Sequence, residues 1–128
     1  MEIKIYFDGG CDPSRHTGYG SYEIVGEGCN HKVSRMQHNS PQTSNTAEYL
    51  TLIAALKWLS HNCPDFNAQL KIYSDSLLVV NQVNGRWKNK TLHLRELAGE
   101  VHLLFLKYPK KPILTWQRRD ANVARFGH

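Results

Sequence analysis

The chain has 128 residues, 41% of them hydrophobic and 21% charged, with a formal net charge of +5. That length suits one domain with a real core, and the composition excludes a disordered chain. No apolar run approaches the ~20 residues of a membrane-spanning helix, and the surplus of positive charge favours a polyanionic partner without establishing one.

The first predicted element is a strand over residues 2–7, EIKIYF, which alternates and is rich in β-formers. Residues 8–20, DGGCDPSRHTGYG, hold four glycines and a proline and predict a turn-rich loop. GSYEIVG (20–26) predicts a second strand and HKVSRMQ (31–37) a weaker third, joined by short glycine-bearing connections in an antiparallel meander. A helix is expected over 45–62, with Ala47, Leu50, Ala54 and Trp58 on one face, Asn45 or Thr46 as its cap, and Pro64 closing it. AQLKIYS (68–74) predicts a fourth strand and SLLVVNQVN (76–84) a helix stopped at Gly85. Residues 91–108 predict a longer helix ending before Pro109, and PILTW (112–116) a fifth strand. The polar stretch 118–128 predicts at most the start of a last helix. The order is β-β-β-α-β-α-α-β with a short tail. It implies a mixed α/β domain over 1–128, with helices packed on a five-stranded sheet.

The N-terminus runs directly into a strand and shows no signal-peptide pattern. The three cysteines, Cys11, Cys29 and Cys63, have no metal-site spacing. They read as ordinary thiols in a reducing compartment, which predicts a cytoplasmic protein. Basic residues gather late, in GRWKNK (85–90), KYPKK (107–111) and QRRD (117–120).

Three acids stand at junctions. Asp8 closes the first predicted strand, Glu48 lies in the first turn of the first long helix, and Asp75 follows the fourth strand. Each by itself reads as a cap or a surface charge; Asp75 in particular could cap the helix after it. If the first and fourth strands lie parallel and adjacent, Asp8 and Asp75 share one sheet edge and Glu48 can point at it. Three converging carboxylates repel unless a cation sits among them, and oxygen-only ligands suit Mg²⁺ or Mn²⁺.

FDGG…GYGSYEI, TSNTAEYLTLIAAL, YSDSLLVVNQVNGRWKNK and RRDAN together resemble ribonucleases H of type 1, in the compact form found in archaea and many bacteria. The resemblance runs from Asp8 to about Asn122. It implies the ribonuclease H fold and cleavage of the RNA strand of RNA/DNA hybrids, leaving a 5′-phosphate and a 3′-hydroxyl. Asp8, Glu48 and Asp75 match three of the family's metal-binding carboxylates. In the implied two-metal site one ion activates a water and the other stabilises the leaving 3′-oxygen. Gly9, Gly10 and Asn45 match positions that read the RNA 2′-hydroxyl, with Asn81 and Gln82 as further candidates. Thr43 matches a hydroxyl residue that holds a DNA-strand phosphate, and Trp87 either packs against a deoxyribose or belongs to the core. The basic insertion that some members carry after the second helix is absent, so modest, salt-sensitive binding by a monomer is expected.

The resemblance departs at its end. The family's fourth carboxylate follows a motif like R-x-x-N-x-x-A-D; Arg119 and Asn122 match its first half, but Phe126 stands where the aspartate belongs. The catalytic-loop histidine of some members is replaced by Arg118 and Arg119, and His128, the last residue, reads as frayed. Two classes therefore fit the sequence. One is a hybrid-specific endonuclease that is weak in Mg²⁺, better in Mn²⁺, and improved by Phe126→Asp. The other is a ribonuclease H-like module that binds nucleic acid with little or no cleavage.

Overall fold

The computed structural model describes all residues except Pro13, His16 and Gln42 and the side chains of Ser40 and Pro41. Five strands, β1 (Glu2–Asp12), β2 (Thr17–Val25), β3 (His31–Pro41), β4 (Gln69–Ser74) and β5 (Ile113–Trp116), form one mixed sheet in the order β3-β2-β1-β4-β5. The helices are α1 (Ser44–Asn62), α2 (Leu77–Val83), α3 (Leu92–Phe105) and α4 (Arg119–Phe126). β1 pairs antiparallel with β2 and parallel with β4, as the strand reading requires.

The glycine-rich stretch is strand rather than loop. The β1–β2 ladder runs through Asp8↔Ser21 and Gly9↔Gly20 to Asp12↔Thr17; only the turn lies between, and within it Pro13 and His16 are outside the described residues. The glycines allow helix α1 to approach the sheet. A Cβ on Gly9 would lie 2.7 Å from the backbone of Ala47 and Glu48, and one on Gly20 would collide with Thr51 Oγ1. Such glycines look like turn signals in sequence because both uses exploit the missing side chain.

Ile3, Ile5, Phe7, Ile24, Leu70 and Ile72, all fully buried, form the sheet side of the core. Helix α1 packs on β1 and β2 and also on α3. It is therefore buried almost all round, and the predicted face is not its core face. Ala47 is fully buried, but Leu50, Ala54 and Trp58 are only half-buried, while Tyr49, Leu52, Leu56 and Leu59 are sealed.

Cys29 and Cys63 are joined as a disulfide, their Cα atoms 6.2 Å apart, which corrects the expectation of three ordinary thiols. The turn after β2 folds over the end of α1, bringing together residues 34 positions apart, and spacing alone cannot reveal that contact. The cytoplasmic expectation loses the support it drew from three ordinary thiols. Among the described residues no helix is long and apolar enough to cross a membrane.

The polar tail folds as α4, a further correction. It carries Asp120 in its first turn and Arg125 in its last, both favourable to the helix dipole. It docks through polar contacts, which is why apolar periodicity missed it. Arg125 pairs with Glu23 and lies 3.5 Å over the Tyr6 ring. Asn122, fully buried, accepts from Gln117 Nε2 at 2.9 Å and donates to the Phe7 carbonyl at 3.5 Å. Gly127 closes the helix in the left-handed region (φ 78°), its N–H bonding the Val123 carbonyl at 2.8 Å.

Candidate active site

The β1–β4 pairing ends at Tyr6↔Tyr73, and the two strands part there. Asp8 and Asp75 each stand two residues further on, at matching register on the opened edge. Asp75 is not a cap: Ser76 Oγ accepts from the Val79 N–H at 3.2 Å and caps α2 in its place. Helix α1 starts one residue earlier than read, with Thr43 as its cap, accepting from the Thr46 N–H at 3.1 Å. The caps expected at Asn45 or Thr46 are thereby corrected, and Asn45 is left with its side chain uncommitted to capping. Glu48, expected in the first turn, is instead the fifth residue of α1, just past that turn, and its carboxylate meets those of Asp8 and Asp75.

Asp8, Glu48 and Asp75 each offer a carboxylate oxygen, all within 4.8 Å of one another. Asp8 and Glu48 are buried, and Asp75 is half-buried. Burial, then the charges of Asp8 and Asp75, push the Glu48 carboxyl well above the usual carboxylate range, against a hydrogen bond from the Gly9 N–H. Asp8 is raised by its burial and by Asp75, opposed mainly by His128. Glu48 Oε2 is buried with no hydrogen-bond partner. An orphaned buried acceptor among repelling carboxylates is costly by itself and suits a hard cation. The donor set is all oxygen, which fits a divalent ion of the Mg²⁺ or Mn²⁺ kind.

The trio lines a cleft of about 410 Å³ with Gly9, Gly10, Asn45, Arg119 and His128. A larger open groove, about 740 Å³, runs beside β5 and carries no acid; the three acids line the smaller one. Of the other predicted residues, Thr43 is a cap, and Asn81 is half-buried, donating to the Leu77 carbonyl at 2.7 Å. Gln82 accepts from the Tyr49 hydroxyl at 2.8 Å, tying α2 to α1. Trp87 is 49% exposed, so the core alternative is excluded. These four lie outside the cleft lining.

Two lining residues were missed as site residues. Arg119, read as part of a broken motif and as a replacement for a loop histidine, brings a cation to the cleft. His128 is not frayed: its side chain is 7% exposed, and Nδ1 lies 2.7 Å from Asp8 Oδ2. The signal was Gly127, which turns the chain back after α4. Phe126 does not line the cleft; its ring stacks on His128 and lies under Lys32. An aspartate there would stand beside His128 and outside the cleft lining, which argues against the gain expected from Phe126→Asp. Asp120 is exposed and pairs with Arg118.

The strand order, the parallel β1–β4 pair and the acids at its opened edge define a ribonuclease H-like α/β fold. The model of the family described as RNase H matches residues 1–112, and the chain belongs to that family. The match stops before β5 and α4, where the fourth-acid motif fails. The chain is 34% identical over 127 residues to the uncharacterized protein YpeP of Bacillus subtilis, covering 96% of this chain and 55% of that one. It is 28% identical over 89 residues to Ribonuclease H of Caldicellulosiruptor saccharolyticus, covering 70% of this chain and 57% of that one. It thus spans about half the length of the curated relatives it matches. Among solved structures, LC11-RNase H1, isolated from compost by a metagenomic approach, is similar in its complex with an RNA/DNA hybrid. That likeness has a TM-score of 0.83 at 25% identity, covering 98% of this chain and 91% of that one.

Proposed function

We propose that this chain, as a single monomeric domain, hydrolyses the RNA strand of RNA/DNA hybrids, leaving a 5′-phosphate and a 3′-hydroxyl. One observation carries the reading: three carboxylates converge within 4.8 Å around a buried, unpartnered Glu48 oxygen. Asp8, Glu48 and Asp75 would hold Mg²⁺ or Mn²⁺, which when bound supplies an activated water and charge stabilisation at the scissile phosphate. The protein's own part is to orient. Gly9 donates to Glu48, and its missing side chain keeps the start of α1 against β1. Arg119 offers the cleft a cation for a backbone phosphate. The Asn45 amide and the glycine backbone supply groups that can read a 2′-hydroxyl. The family membership and the hybrid-bound LC11-RNase H1 support the same substrate.

The alternative is a module that binds hybrids with little or no cleavage. Its support is that the acid cluster among the described residues holds three carboxylates, without a fourth. A labelled RNA/DNA hybrid incubated with Mg²⁺ or Mn²⁺, against Asp75→Asn as control, separates the two. Cleavage abolished by the substitution supports the enzyme; tight binding without cleavage in either protein supports the module.

A further inference from the structure

The imidazole of His128 is held on every side. Its ring stacks on Phe126 with centroids 5.9 Å apart and meets Tyr19 edge-on at 5.2 Å. Nδ1 lies 2.7 Å from Asp8 Oδ2, and Nε2 lies 2.6 Å from Ser21 Oγ. Ser21 is fully buried on β2, and its Oγ accepts the Arg35 N–H at 2.9 Å. Arg35 is the one non-glycine residue among those described with positive φ (51°), and it stands beside the register shift between Gly20 and Tyr22. A left-handed non-glycine residue is strained, and strain of this kind persists where the surroundings over-determine it. Here it turns a strand N–H onto Ser21 rather than into the ladder.

The partners assign the protons. An ionised carboxylate only accepts, so Nδ1 carries the ring proton toward Asp8. Nε2 bonds the Ser21 hydroxyl. The contacts from the Arg35 N–H through Ser21 Oγ and the His128 ring to Asp8 are continuous. Both ring nitrogens are occupied, so the ring is built to hold a carboxylate rather than to ligate.

We propose that His128 is a positioning residue that fixes the Asp8 carboxylate for cation binding, with Ser21 and the bulge at Arg35 as its support. The proposal rests on the reading of Asp8 as a metal ligand. Outer partners of metal ligands set their orientation, and losing one typically costs ~10–100-fold in affinity. α4 and the turn at Gly127 thus serve the site without supplying the missing acid: they bring an orienting donor to an acid that is already there.

The test is Mn²⁺ titration of the whole chain by calorimetry, with a thermal melt for each protein. His128→Phe keeps a ring between Phe126 and Tyr19 but deletes both nitrogens. His128→Asn loses that packing but keeps an N–H near the Nδ1 position. Weaker Mn²⁺ binding in His128→Phe, by about 10-fold, with most of the loss recovered in His128→Asn, is the expected result. A purely structural role predicts the reverse order and overturns the proposal, as does Mn²⁺ binding in His128→Phe at or above wild-type affinity. Should His128→Phe fail to fold, Ser21→Ala carries the test: weaker Mn²⁺ binding supports the proposal and wild-type affinity overturns it. Asp8→Asn separates the premise. If it leaves Mn²⁺ affinity unchanged, the metal reading falls and the proposal with it. If it abolishes binding while His128→Phe does not weaken it, the positioning role alone is lost.

Discussion

The two ends of α1 work against each other. The helix is 19 residues long, roughly 28 Å. Just past its first turn Glu48 is buried among like charges with an unpartnered oxygen. At its far end Cys63 is cross-linked to Cys29, Trp58 stacks on His31 at 3.9 Å, and Leu56 and Leu59 are sealed in the core. One end carries an electrostatic cost and the chemistry; the other carries apolar burial and a covalent tie. The pairing shows how a repulsive cluster is kept in register: the scaffold is stabilised well away from the site, where no functional group is disturbed.

The sharpest way to break this contrast is at the acids. Asp75→Asn and Asp8→Asn should each reduce hybrid cleavage by more than the ~100-fold that marks loss of an outer partner, while binding of uncut hybrid by fluorescence anisotropy stays near wild type. Cleavage near the wild-type rate would remove that residue from the site. At the other end, reducing the disulfide, or Cys29→Ser, should lower unfolding free energy by about 3–4 kcal/mol, the loop-closure value for a separation of 34 residues. Urea melts read that loss. Mn²⁺ affinity should not move, and a parallel fall in it would show that the two ends are coupled.

The acids' cost also has a pH signature. The folded-state pKa values of Asp8 and Glu48 are raised, so the folded protein retains protons that the unfolded chain has released. Their contribution to stability is full below the ordinary carboxylate range and is lost as pH rises through the raised values. The metal-free protein should therefore melt at lower temperature as pH rises from about 4 toward neutral, and Mn²⁺ should reverse the trend. Glu48→Gln should flatten the slope and stabilise the metal-free fold at neutral pH by about 1 kcal/mol, while losing cleavage. An unchanged slope would place the cost elsewhere. The smallest effects are expected at two neighbours. Thr43→Ala should lower stability by about 1 kcal/mol and leave substrate discrimination alone. Asn45→Ala should do the reverse, weakening preference for RNA/DNA over DNA/DNA by about 1 kcal/mol without a stability loss. Matched melts and competition binding decide between them, and a stability loss in Asn45→Ala would make it structural.

Much of the site was legible because its residues sit on strongly patterned elements. Alternation placed the first and fourth strands, helical periodicity placed α1 and α2, and their junctions carry Asp8, Glu48 and Asp75. The strand reading nevertheless stopped at Phe7, because glycines that admit a helix resemble glycines that make a turn. Cap identity at α1 slipped by two or three residues, since Thr43, Asn45 and Thr46 are all plausible caps and only backbone geometry chooses among them.

The element order as far as β5, the mixed sheet and the position of each acid could be read from side-chain periods of two and 3.6 and from residue types at element ends, and the resemblance to ribonucleases H grouped the acids. The tertiary structure alone decided the Cys29–Cys63 pairing, the folding of α4 and the placing of His128 on Asp8. Each joins residues far apart in the chain through contacts that leave no local pattern. A polar helix docked by Arg125 and Asn122 has no apolar stripe to read, and the partner that completes Asp8 lies 120 residues away.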